Sequence, residues 1–247
     1  MIDKTLIVLD IETVKDTDLL TEDWPEDKWP PPIGWKVVAA GILIAHLDNT
    51  SGSMSIKIQD AQCVQGEEAD LLNRFWSYFN KAIPRLVTWN GRTFDLPVLQ
   101  HRAFKHAIEM PSYFQSGDKW SNYQHRYSED WHCDLMDVMS TYGASTRTQM
   151  DLMATSMGLP GKIGGHGSEV QAMFDEGEID RICNYCECDV LNLYGLYIRW
   201  CHVTGKMSKA DHDAAFENFK GYLEDHKESK EHYVEFLDKW DYSSKGL

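Results

Sequence analysis

The chain has 247 residues, of which 43% are hydrophobic, 12% aromatic and 26% charged, the balance of a globular protein and not of a disordered tail or a fibre. Lys plus Arg total 24 against 39 Asp plus Glu, and the net charge of −15 disfavours non-specific attachment to nucleic acid through its phosphates. The longest unbroken apolar stretch, Val37 to Ala45, falls far short of the ~20 residues a membrane-spanning helix needs, which excludes a transmembrane reading.

Met1-Ile2-Asp3-Lys4 leads directly into a short apolar run, with neither a basic n-region nor a small-residue cleavage site, so the expected location is the cytoplasm. Thr5 to Leu9 is β-branched and aliphatic and ends at Asp10, as a buried strand does at a sheet edge. A Trp/Pro-rich insertion follows, Trp24 to Pro32, whose three consecutive prolines continue neither helix nor sheet. Lys36 to His46 and Ser53 to Ile58 read as two more strands joined by turn chemistry at Leu47 to Gly52. Asn49-Thr50-Ser51 inside that turn matches a glycosylation sequon, which has no consequence in the cytosol. Glu67 to Phe79 places Leu72, Phe75, Trp76 and Phe79 on one helical stripe, and Arg85 to Trp89 is a short strand.

A helix is expected from about Leu96 to Ile108, then a long surface loop from Pro111 to His132. Within it, Lys119 to Tyr127 interleaves cations with aromatics, which suits either a platform for unpaired bases or a loop whose rings pack back on the domain. Asp134 to Tyr142 and Thr148 to Met157 read as helices, the second closed by Gly158-Leu159-Pro160-Gly161. Ser168 is a candidate cap for a short helix through Phe174, and Ile179 to about Val203 reads as one long helix. Beyond Gly205 the chain turns polar, and Ser208 to Trp240 keeps helical spacing. Its aromatics suit packing on the main domain or a dimer contact, so the oligomeric state stays open. The expected division is a domain at 1–205 and a helical extension at 206–247.

The 6 cysteines are irregularly spaced and are expected as reduced thiols. Cys183, Cys186 and Cys188 lie within one expected helix with no second Cys/His pair at zinc-finger spacing, so a zinc site is not expected. Strands, a helix, a strand and then mostly helices indicate an α/β architecture, a mixed central sheet flanked by helices.

Three groups of residues carry chemistry. Asp10 and Glu12 are two apart on a strand, so both side chains leave one face about 6.5 to 7 Å apart, within reach of one hard cation such as Mg²⁺. Taken in isolation, the pair is more simply a solvated strand end. Asn90-Gly91-Arg92-Thr93-Phe94-Asp95 follows a strand and precedes Leu96-Pro97, which puts Asp95 at a helix start, where an N-cap would also account for it. Tyr185 and Asp189 are one turn apart on a largely apolar helix face, where an acid has to be ion-paired, protonated or metal-bound.

Taken in order, Asp10/Glu12, Asn90/Phe94/Asp95 and Tyr185/Asp189 resemble the three exonuclease motifs of the DEDD superfamily, tyrosine subclass. From Lys4 to Trp200 the chain is similar to the free-standing predicted 3′-5′ exonucleases related to the proofreading domain of family B DNA polymerases. The similarity includes His132 to Asp137 and Gly158 to Lys162. It implies a ribonuclease H-like fold and a Mg²⁺- or Mn²⁺-dependent 3′-5′ exonuclease hydrolysing phosphodiester bonds at the 3′ ends of single-stranded DNA or RNA. By carry-over Asp10, Glu12 and Asp189 would bind a first ion, and Asp10 and Asp95 a second. Tyr185 would orient the attacking water, and Thr13, Asn90, Phe94 and Lys162 would contact substrate. The alternative from another class is a non-catalytic binding or scaffold module on the same fold.

Overall fold

The computed structural model describes residues 4–241 apart from 21–23, 26, 51 and 166. Met1 to Asp3, Glu26 of the insertion and Ser51 of the sequon therefore lie outside the described residues. Among those described, a five-stranded sheet has the order β3-β2-β1-β4-β5. The strands are β1 (Thr5–Lys15), β2 (Trp35–Asp48), β3 (Ser55–Gln65), β4 (Arg85–Thr88) and β5 (His132–Asp134). β1, β2 and β3 pair antiparallel, while β4 runs parallel to β1 and β5 parallel to β4. The mixed sheet flanked by helices agrees with expectation.

β1 does not stop at Leu9. It runs on through Asp10 and Glu12 because Ile11, Thr13 and Val14 are again β-branched and β2 is long enough to pair with them. Its alternation sorts the core. Leu6 and Val8 face one layer, Ile7, Leu9 and Ile11 the other. The second layer is α1 (Glu68–Ala82), α2 (Asp95–Lys105) and α3 (Pro111–Gln115). The first is α7 (Ile179–Val203) with α8 (Lys209–His226) and α9 (Glu231–Lys239) behind it. Between them in sequence come α4 (Leu135–Met139), α5 (Met150–Ser156) and α6 (Val170–Asp175).

Several boundaries differ from the sequence reading. The stretch from Pro111 to His132 is not all surface loop, since it contains α3 and ends in β5, and Tyr113, Tyr123 and Trp131 are buried. Tyr123 stacks on Tyr113 at 5.5 Å and its hydroxyl donates to the Pro84 carbonyl at 2.6 Å, so of the rings between Lys119 and Tyr127 this one is core. Asp134 closes β5 and caps α4, which is shorter than expected. Ser168 lies in a 3-10 turn (Gly167–Glu169) and caps nothing, Glu169 holding the N-cap position of α6.

The C-terminal helices share the main core: Phe216, Phe219, Tyr233 and Phe236 are fully buried with residues of β2, β3 and α7. Packing on the same chain is therefore what these aromatics do. Glu187 on α7 is tied to both Lys230 and the Tyr233 hydroxyl. Asn218 Oδ1 accepts from the Ile58 amide at 2.9 Å, stitching α8 to β3.

A buried charge cluster holds the far end of β1 against α1 and α2. Arg102 makes contacts of 2.7 and 2.5 Å with Glu68 and 2.6 Å with Asp16 Oδ2, where Lys105 adds 2.9 Å. Burial alone would raise the Asp16 carboxyl, but the hydrogen bonds from Lys105 and Arg102 outweigh it and hold it at about 2. Glu68 also accepts from the Val37 amide at 2.8 Å, so the cluster ties β2 as well.

Candidate active site

Asp10 and Glu12 share the parity of Leu6 and Val8, so alternation sends both acids to the side covered by α7. Asp10 lies opposite Gly41 of β2 and Glu12 opposite Ala39, after which the register skips Val38. Thr13, opposite Val37, falls on the other face of β1 from Glu12, and Val14 returns to the α7 side.

α7 presents Tyr185 and Asp189 to these acids, and its approach depends on Gly41. A β-carbon there would stand 2.7 Å from the Cys186 carbonyl oxygen and 3.0 Å from its sulfur. The Gly41 amide instead donates to Cys186 Sγ at 3.1 Å, and the thiol lies 3.6 Å from Asp10 Oδ2. The cue was available in the sequence, since an isolated glycine inside a strand pattern marks close approach of another backbone. Gly41→Ala is expected to destabilise the protein by roughly 1–3 kcal/mol and to weaken divalent-metal binding, because α7 has to move. Thermal melts with and without Mg²⁺ check both, and an unchanged variant would mean that the helix is not seated by this contact.

Asp95 is the first residue of α2 and not its cap, which is Phe94. From there its Oδ1 accepts from the Ile11 amide at 3.2 Å, between the two acids of β1. The loop that delivers it is organised by Asp134, whose carboxylate accepts from the Asn90 and Arg92 amides at 2.9 Å each. This explains the acid in the His132 to Asp137 segment without placing it in the cluster. Asn90 has φ 67°, and its side-chain oxygen is engaged by the Thr93 hydroxyl at 2.5 Å. Phe94 is half-buried, its ring 6.0 Å from that of Trp35.

Lys162 is exposed, and its charge acts on both Glu12 and Asp189. Its backbone is held by Asp151, whose Oδ1 accepts from the Lys162 amide at 2.8 Å, and the preceding residue by Asn192, a buried residue that sequence reading passed over. Asn192 Oδ1 accepts from the Gly161 amide at 3.0 Å and its Nδ2 donates to the Gly161 carbonyl at 2.7 Å. A buried amide on a largely apolar helix face was the available signal.

The four acids are crowded together, Glu12, Asp95 and Asp189 buried and Asp10 half-buried, and Asp10 feels the other three as like charges. Burial first, and then that mutual repulsion, raises Asp10 and Glu12 well above the ordinary carboxylate range. Burial pushes Asp95 to about 7, and Asp189 to about 7 despite a hydrogen bond from Tyr185 and the charge of Lys162. Asp189 Oδ1 is buried with no hydrogen-bond partner among the described residues. An orphaned oxygen within a set of crowded carboxylates is a donor set that fits a hard divalent cation. Ligand atoms of Asp10, Glu12 and Cys186 lie within 4.8 Å of one another.

These shifts carry a sign. Between the ordinary carboxylate value near 4 and the folded values of about 7, the native state holds more protons than the unfolded one, so stability falls as pH rises through that window. Metal-free protein in EDTA is expected to melt lower at pH 8 than at pH 5, with Mg²⁺ restoring more at pH 8. A flat profile would show that the carboxylates are not thermodynamically crowded.

Other singled-out residues lie elsewhere. In the segment Lys119 to Tyr127, Trp120 and Tyr127 are exposed, while Arg126 is paired with Asp137 at 2.6 Å. Cys183 and Cys186 meet Cys63 of β3, whereas Cys188 is buried in the main core, so the three α7 thiols do not converge. All 6 cysteines are free. No helix among the described residues is long and apolar enough to cross a membrane.

A family of predicted 3′-5′ exonucleases related to the exonuclease domain of PolB matches residues 31–240. The chain belongs to this family. The matched span includes Asp95, Tyr185 and Asp189, while Asp10 and Glu12 lie on the strand just before it. Among solved structures, the family B DNA polymerase from the hyperthermophilic archaeon Pyrobaculum calidifontis superposes with a TM-score of 0.51 at 16% identity, over 76% of this chain and 24% of the polymerase. A product-bound exonuclease I superposes at 0.41 and 12% identity, over 78% of this chain and 47% of that one. Escherichia coli exonuclease I in complex with a dA16 oligonucleotide gives 0.38 and 10%, over 78% and 44%. The chain thus spans about a quarter of the polymerase and less than half of exonuclease I. No curated protein matches it. The polymerase-related exonuclease family and the polymerase likeness agree on a ribonuclease H-like fold, the mixed sheet described above.

Proposed function

We propose that this exonuclease-family chain removes nucleoside 5′-monophosphates from the 3′ ends of single-stranded DNA, RNA or both, using two Mg²⁺ or Mn²⁺ ions. The observation that carries the reading is the convergence of four carboxylates from β1, α2 and α7, Glu12, Asp95 and Asp189 buried and Asp10 half-buried, with the Tyr185 hydroxyl hydrogen-bonded to Asp189. Asp10, Glu12 and Asp189 would hold one ion, and Asp10 and Asp95 the second. When bound, such ions supply a hydroxide nucleophile and neutralise the leaving 3′ oxygen. Tyr185 donates to Asp189 and holds the attacking water in line with phosphorus. Lys162 contacts phosphate, and Thr13, Asn90 and Phe94 line the pocket of the terminal nucleotide.

In the same reading residues 1–205 are the catalytic unit and 206–247 an extension whose described helices, α8 and α9, brace α7. Free thiols throughout suit a reducing compartment, the cytoplasm. The net charge of −15 favours single-stranded ends held at the metal site over duplex binding.

The test is a denaturing gel of 5′-labelled single-stranded DNA and RNA incubated in Mg²⁺, Mn²⁺ or EDTA. A metal-dependent ladder shortening from the 3′ end, slowed in Tyr185→Phe, is the expected result. Intact strands in every metal would replace the enzyme by a non-catalytic scaffold module on the same fold.

A further inference from the structure

Trp29 is 71% exposed although the backbone on either side of it is held. Before it, Trp24 Nε1 donates to the Lys28 carbonyl at 2.9 Å. After it, Pro30, Pro31 and Pro32 restrict the chain, and Trp35 Nε1 donates to the Pro30 carbonyl at 3.2 Å. An indole kept in water on a restrained backbone loses burial energy that the same residue would gain in the core.

Its ring is also directed. Its centroid lies 4.7 Å from that of Trp35 and 6.3 Å from that of Phe94, and Trp35 and Phe94 are 6.0 Å apart. Phe94 directly precedes Asp95 in the chain, so the three rings form a connected step from the start of α2 out to solvent at Trp29. The neighbouring Lys28 places its ammonium 5.1 Å from the Trp24 ring centroid, putting a cation on the same rim. Exposed aromatics beside cations are what single-strand binders use to stack bases and follow phosphates. With a net charge of −15 the phosphate term is weak, which leaves stacking as the main source of affinity outside the metal site.

We propose that Trp29 is a stacking site for an unpaired nucleobase of the strand whose 3′ end enters the acid cluster, an inference that rests on the exonuclease reading above. The Trp/Pro-rich insertion is thereby a substrate-binding element. Stacking is tolerant of base and sugar, so dT12 and rU12 are both expected to engage it.

The experiment measures anisotropy of 5′-fluorescein-labelled dT12 and rU12 in Ca²⁺ with the unaltered protein, Trp29→Ala and Trp29→Phe. It adds a dT12 series carrying one abasic residue at each of the four 3′-terminal positions. Trp29→Ala is expected to weaken binding roughly tenfold and Trp29→Phe much less, with melting temperatures unchanged because the side chain is exposed. In the unaltered protein one abasic position should cost a similar factor, and Trp29→Ala should lose nothing further there, the non-additivity that direct contact produces. If Trp29→Ala binds dT12 as tightly as the parent, or if its loss adds to the abasic loss at every position, the stacking site is wrong. The gel assay separates the two ideas. A ladder with unaltered Trp29→Ala binding sinks only the stacking site. Trp29-dependent binding without a ladder sinks only the exonuclease reading. Neither ladder nor binding sinks both.

Discussion

Asp10→Asn is expected to abolish metal-dependent hydrolysis and, at the same time, to raise the melting temperature of the metal-free protein. Both effects follow from one position. Asp10 is the acid on which the charges of Glu12, Asp95 and Asp189 all bear, and in the proposed chemistry it is shared by both ions. Losing a ligand to both removes several kcal/mol of transition-state stabilisation, at least about 10³ in rate. Asparagine keeps the shape but not the charge, so the apoprotein is relieved of repulsion and should gain ~2–4 °C for each kcal/mol relieved. The melting shift produced by Mg²⁺ should shrink with it. Rates from the gel assay and melts in EDTA and Mg²⁺ give both numbers. An inactive variant that is also less stable in EDTA would mean that Asp10 supports the fold, and an active one would remove it from the site.

Arg102→Ala is expected to be among the most damaging substitutions away from the chemistry, costing about 3–5 kcal/mol, or a melting temperature lower on the order of 10 °C. The guanidinium is 1% exposed and satisfies two carboxylates, each 4% exposed, that would otherwise be buried without their main partner. Arg102→Lys should rescue little, since an ammonium cannot span Glu68 and Asp16 as the planar fork does. By contrast, the Lys239–Glu235 pair has side chains 50% and 48% exposed, and Lys239→Ala should change stability by less than about 0.5 kcal/mol. Urea unfolding of the three variants compares them directly. A cost below about 1 kcal/mol for Arg102→Ala would mean that the cluster does not clamp β1 to α2.

Some of the molecule was legible because it depends on local periodicity. The long helix appears with the expected bounds, Ile179–Val203, because its apolar residues recur at helical spacing, no proline interrupts it, and the one glycine inside it, Gly195, is buried against Leu159 and does not end it. The acids of β1 share a face because alternation along a strand follows from the backbone itself. β5 was missed because three residues carry too little pattern to outweigh the polar, aromatic segment before them. The loop rings Trp120, Tyr123 and Tyr127 read equally as platform or core, and only Tyr123 is buried, since exposure is not a property of a side chain alone. Asn192 and Asp134 position parts of the site through hydrogen bonds to distant backbone amides, and such partners leave no mark in the local sequence.

By itself, then, the sequence determined the parity that turns Asp10 and Glu12 to one side of β1 and the one-turn spacing that aligns Tyr185 with Asp189. Covalent geometry repeats every two residues in a strand and every 3.6 in a helix, whatever surrounds it. Only the tertiary structure decided that those two faces meet, that Asp95 reaches the Ile11 amide between the β1 acids, and that Trp29 stays in water beside Phe94. Those outcomes depend on contacts between residues far apart in the chain, such as Gly41 under Cys186 and Arg102 between Asp16 and Glu68. Close packing and charge pairing at such contacts are settled by the whole fold at once.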